Sequence, residues 1–118
     1  MLAQVNAARA AAGLGSVRVS SKLQNASAAY ARTIIAHDRF AHAQAFQRGT
    51  GFRSVGEILA LCPRGRAQIR AVVRAWLASP EHRPILLGGQ FGWVGVGFAR
   101  GSMGGHQTAI WVVRFGSG

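Results

Sequence analysis

A chain of 118 residues, 49% apolar and 14% charged, is long enough to bury one core and too apolar for a disordered tail. No stretch reaches the ~18–20 apolar residues of a membrane-spanning helix, which excludes an integral helical span within it. Fourteen basic residues, of which Lys22 alone is lysine, stand against three acids (Asp38, Glu57 and Glu81), giving a formal net charge of +11. That balance attracts anions such as nucleic acid, acidic wall polymers or anionic lipid head groups. An arginine bias serving solubility is the simpler account, because no basic–aromatic interleaving of a nucleic-acid binder accompanies it.

Residues 1–12 place Leu2, Val5, Ala8 and Ala12 on one face and predict a helix stopped by Gly13, a residue suited to left-handed backbone. The start has no signal-peptide pattern, so an exported parent would have lost its targeting segment. A connector follows, extended at Val17-Arg18-Val19. Ser20 or Ser21 caps a second helix with Leu23, Ala26, Tyr30, Ile34 and His37 on one stripe, ending near Asp38. Residues 39–56 read as loop, with Phe40, Phe46 and Phe52 pinning it to the core. Glu57 then precedes the apolar run Ile58-Leu59-Ala60-Leu61.

A third helix is predicted from about Arg66 to Ala78, burying Ile69, Val72, Val73, Trp76 and Leu77. Arg66, Arg70 and Arg74 recur every four residues beside that stripe, as a solvated face or, functionally, an anion-binding ridge. Ser79 is expected to cap a short fourth helix with Pro80 at its first position. Beyond it the period changes to two: Trp93, Gly95, Gly97 and Ala99 alternate with Val94, Val96 and Phe98. A glycine-rich turn at 101–105 leads to a second strand from His106 to Phe115, making an antiparallel hairpin. The strand glycines have no helix after them, so close packing of a helix on the sheet explains them better than a phosphate loop.

Cys62 has no partner for an internal disulfide and reads as a small buried hydrophobe. Of the four histidines, His37 sits at a helix end and His106 beside a turn. His42 lies in an aromatic loop, and His82 follows Ser79-Pro80-Glu81. Either is a structural histidine unless the fold brings it to Glu57. Glu81 suits a helix N-terminus, and consecutive helical positions lie ~100° apart, so it cannot easily share a ligand with His82.

Six segments in order carry a resemblance. They are Val5-Asn6-Ala7-Ala8-Arg9 with Gly13-Leu14; Phe40-Ala41-His42; Gly56-Glu57-Ile58; Ala75-Trp76-Leu77-Ala78-Ser79-Pro80-Glu81-His82-Arg83; Val94-Gly95-Val96-Gly97; and Trp111 to Gly116. Together the chain resembles the CAP superfamily (cysteine-rich secretory proteins, antigen 5 and pathogenesis-related proteins) in its compact bacterial branch. The resemblance implies one domain over 1–118, an α+β fold built as a three-layer α-β-α sandwich with a central antiparallel sheet. It also implies a cleft in which His42 and His82 are metal ligands and Glu57 is the first acid. The family's second acid has no match, and Glu81 is the nearest substitute.

Two imidazoles and a carboxylate suit a divalent cation such as zinc, with open positions for water or ligand. Imidazole ligates only when neutral, so such binding weakens as pH falls past about 6.5. The leading functional expectation is a secreted or cell-envelope binding module for a lipid-like, peptide or cell-wall ligand. The alternatives are a metal-assisted hydrolase with Glu57 activating water, and an electrostatic binder of anionic polymers through Arg66, Arg70 and Arg74.

Overall fold

The structure, a computed structural model, describes residues 1–63 and 68–118. Helices α1 (Leu2–Ala11) and α2 (Ser21–Ala36) form where predicted and end by one device. In α1 the Leu14 N–H donates to the Arg9 carbonyl at 2.9 Å and the Gly13 N–H to Ala10 at 3.0 Å, with Gly13 at φ +77°. In α2 the Arg39 N–H donates to Ile34 and the Asp38 N–H to Ile35, both at 3.1 Å. Here Asp38, not glycine, takes the left-handed position at φ 48°. Both closures satisfy carbonyls that a helix end would otherwise leave unpaired. Ser20 is the N-cap of α2, its side chain accepting the Leu23 N–H at 3.3 Å.

One sheet holds β1 (Arg18–Val19), β2 (Ser54–Pro63), β3 (Trp93–Met103) and β4 (His106–Ser117) in the order β1-β3-β4-β2. The predicted hairpin is β3–β4, closed by Gly104 and Gly105 at φ +55° and +79°. Two consecutive positive φ values give the turn whose twist matches the sheet. The sheet is not wholly antiparallel: β1 runs parallel to β3. Most of the chain separates those two strands, so no tight turn dictates their direction. Edge strand β2 begins at Ser54, inside the stretch read as loop. Residues 55–59 of β2 are all buried, so the strand lacks the alternation that announces a half-exposed one.

Helix α3 (Ile69–Ala78) buries Val72, Val73 and Trp76 as predicted; its expected start at Arg66 falls outside the described residues. Helix α4 is Arg83–Leu86, later than expected. Ser79 governs a turn over Pro80–His82 instead, because Pro84 has no N–H and cannot sit inside a helix begun at Pro80.

The elements form the three layers of an α-β-α sandwich. On one face Val5, Val72, Val73, Trp76 and Leu86 from α1, α3 and α4 pack with Ile58, Val94, Val113 and Phe115. On the other, Ala31 and Ile34 of α2 pack with Leu59, Ile110 and Val112. Gly95 and Gly97 let α2 lie directly on the sheet: a Cβ on Gly95 would stand 2.1 Å from the Leu23 carbonyl carbon, and one on Gly97 2.2 Å from that of Ser27.

Candidate binding cleft

Strand register places Glu57 directly opposite Arg114 on the face that α2 covers. The Glu57 side chain is fully buried, and its Oε2 accepts the Arg114 Nε–H at 2.8 Å. A buried charge needs such a partner, since unpaired it would lose its hydration for nothing in return. Tyr30 of α2 lies over the Arg114 guanidinium at 5.2 Å from its ring centroid, and Phe46 lies at 5.9 Å. The other carboxylate oxygen, Oε1, faces the loop after α2. It accepts the Ala43 N–H at 3.2 Å and bonds His42 Nδ1 at 2.9 Å. An ion-paired carboxylate only accepts, so Nδ1 carries the ring proton and a neutral His42 has its lone pair on Nε2. The Tyr30 hydroxyl donates to the Ala41 carbonyl and so ties the loop to α2 one residue before His42. Burial first, then the nearby Glu57 carboxylate, raises the Tyr30 phenol above its ordinary pKa, while Arg114 and Arg39 pull it back.

His82 is held differently. Its Nδ1 lies 2.7 Å from Ser79 Oγ, which also accepts the Glu81 N–H at 3.4 Å. The turn that replaced the expected first turn of α4 thus sets the ring. His82 borders a hollow of about 430 Å³ between the outer end of β2 and α3, with Phe40, Leu61, Cys62, Ala75 and Trp76. Burial raises the Cys62 thiol above its usual range, leaving it a packing group there. His42 and Glu57 border a second hollow, of about 660 Å³, with Phe46, Gly56, Ile85 and Phe91. Successive halves of β2 therefore form one wall of each hollow, with His42 at one and His82 at the other.

Of the residues singled out from sequence, the structure joins His42 to Glu57 and sets His82 in the neighbouring hollow. Glu81 is exposed and borders neither. Arg70 and Arg74 are exposed on α3, and Arg66 lies outside the described residues. Arg114 was missed as a site residue, although a lone charge within the apolar run Ile110–Phe115 signals a buried partner. Among the described residues no group of three or more His, Cys, Asp or Glu side chains is arranged to hold a metal. The donor chemistry fits a cation in part: each imidazole has Nδ1 engaged by an oxygen, the support that orients a ligating ring. Glu57, fully buried and bonded at both oxygens, orients His42 rather than presenting itself to the cleft.

The family model for cysteine-rich secretory proteins (CAP) matches residues 2–115. The chain belongs to this family. No curated protein matches this CAP domain by sequence. Among solved structures, an outer surface protein from Borrelia burgdorferi is similar with a TM-score of 0.79 at 22% identity, over 98% of this chain and 88% of that one. An extracellular SCP-domain protein from Bacillus anthracis gives 0.75 at 20% identity over 97% of this chain and 38% of its own. A cysteine-rich secretory protein from Staphylococcus aureus gives 0.75 at 15% identity over 97% and 36%. The CAP domain thus spans little more than a third of the last two proteins, and at these identities the likeness is one of fold.

Proposed function

We propose that this CAP domain is a binding module of the compact bacterial branch, working outside the cell or on the cell envelope. The outer-surface, extracellular and secretory descriptions of the three bacterial proteins above support the location. The observation that carries the binding role is His42, held through Nδ1 by a buried, ion-paired carboxylate while its ring stays largely exposed. Fixing an exposed imidazole in this way costs a buried charge pair, and it presents one defined nitrogen, Nε2, to a ligand. The mostly apolar hollow beside His82 takes the hydrophobic part of a lipid-like or peptide ligand.

A divalent cation such as zinc would be held by His42 and His82, with ligand or water filling its other positions. Its chemistry there would be to attract a polar head group. The hydrolase reading is weaker: a general base must face the substrate, and the Glu57 side chain is fully buried, with three of its roughly four acceptor positions taken by Arg114, His42 and Ala43. The Arg70–Arg74 face is solvated and borders neither hollow, so the polymer-binding reading has only net charge behind it.

Zinc calorimetry on the wild type, His42→Ala, His82→Ala and Glu57→Gln tests the cation. Each substitution should weaken binding, the Glu57 change by roughly 10–100-fold because it acts only through His42. No zinc binding by the wild type, or equal binding by all four, removes the cation. The module itself is tested by titrating sodium oleate and a blocked apolar tetrapeptide against amide spectra. Shifts concentrated at Phe40, His42, Leu61 and His82 are expected; no shift there with either probe sinks the cleft assignment.

A further inference from the structure

His42 also forms a wall of a different hollow, on the side of α2. This hollow measures about 460 Å³ and is lined by Tyr30, Thr33, His37, Arg39 and Gln44 together with His42. Among the described residues no carboxylate lines it. Both oxygens of the neighbouring Asp38 accept the Gly104 N–H, at 3.0 and 3.1 Å, which turns that acid toward the β3–β4 turn. Glu57 bonds the His42 ring and is neutralised by Arg114. Among the described residues the ion pairs are those two contacts of Glu57, so Arg39 has no carboxylate partner there. Its charge acts on the Tyr30 phenol, which places it electrostatically at this hollow. The negative pole of α2 is blunted, since the Thr33, Ile34 and Ile35 carbonyls are taken by the N–H groups of His37, Arg39 and Asp38.

We propose that this hollow binds a phosphate group, with Arg39 as its principal anchor. A guanidinium presents a planar fork of donors that matches two phosphate oxygens, and the Gln44 amide and His37 ring supply further donors around it. The hollow exceeds the volume of one phosphate, so an ester fits better than the free ion. Its organic body lies against Ile34, Ala41 and Ala43. The same chemistry is offered by a soluble phosphate monoester and by a phosphodiester head group in a lipid surface. The site shares its His42 wall with a hollow along β2, but its anchor Arg39 lines neither of the β2 hollows, so Arg39→Gln leaves the cation ligands in place.

The test uses the whole chain at constant ionic strength, with amide spectra titrated by inorganic phosphate, glycerol 3-phosphate and phosphatidylglycerol vesicles. Shifts should concentrate at Arg39, Ala41 and Gln44, with the ester saturating before the inorganic ion. Arg39→Gln should weaken binding roughly tenfold, the scale of one lost charge-assisted bidentate contact. Arg39→Lys, which keeps charge and loses the fork, should fall between. Arg32→Gln, an exposed arginine elsewhere on α2, should match the wild type. Saturation by the ester alone assigns a soluble ligand, and by vesicles alone a membrane head group; either supports the site if Arg39→Gln abolishes the preference. Equal losses for Arg32→Gln and Arg39→Gln show diffuse attraction and overturn it. No saturation with any of the three probes does the same.

Discussion

Glu57 gathers three donors on one carboxylate: a guanidinium from its own sheet, an imidazole and a backbone N–H from the loop after α2. The neighbouring Tyr30 is the chain's single tyrosine, so phenolate absorbance reports on it alone. Its midpoint should lie above the ordinary value of about 10, and Glu57→Gln should lower it by removing a nearby negative charge. The folded state keeps the phenol proton longer than the unfolded chain does. The stability linked to Tyr30 is therefore full below about pH 10 and is lost as pH rises through the raised value. A midpoint unmoved by Glu57→Gln would contradict the placement of that carboxylate. Glu57 and His42 were legible as site residues only through resemblance, because the pairing spans a loop with no periodicity. Arg114 was legible in principle, being a charge where the strand pattern demands an apolar side chain. Ser79's hold on His82 was not, since the same serine reads equally well as a helix cap.

At the scale of elements, the strongest readings were those with a strict local cause. Helices α1 and α2 end where a left-handed residue closes the last turn, and the β3–β4 hairpin turns on two glycines with positive φ. The strand glycines were read as packing positions, and α2 lies on them. Gly95→Ala should cost roughly 1–3 kcal/mol or more, since the new methyl would meet the backbone of α2, which cannot swing aside like a side chain. Gly92→Ala, with nothing within 4 Å of its added carbon, is the control and should melt with the wild type. Equal melting temperatures for all three proteins would show that α2 stands further from the sheet. The readings that missed had competing local signals. Strand β2 is buried on both faces over residues 55–59 and looks like any apolar run, and Pro80 marks a turn while α4 starts at Arg83 with Pro84 in its first turn.

Across the whole molecule, the net charge of +11 predicts attraction to anions, but the fold distributes that charge unequally. Arg114 and Arg9 are spent inside. Arg9, 2% exposed, donates from its three guanidinium nitrogens to the carbonyls of Gly15, Leu86, Gly88 and Phe91 at 3.0–3.1 Å. Burial lowers its pKa, yet a guanidinium stays charged at any ordinary pH. Arg9→Met should destabilise the chain by about 3–5 kcal/mol in urea, because it leaves several buried carbonyls without a donor. A loss below about 1 kcal/mol would mean water reaches those groups.

That clasp links the first helix to the segment just before β3. Ile85, Gln90 and Phe91, on the segment Arg9 grips, border the same hollow as His42. A protease that clipped the first dozen residues would therefore release a corner more than seventy positions downstream. Trimming at the amino end would loosen that hollow without touching a single residue that lines it.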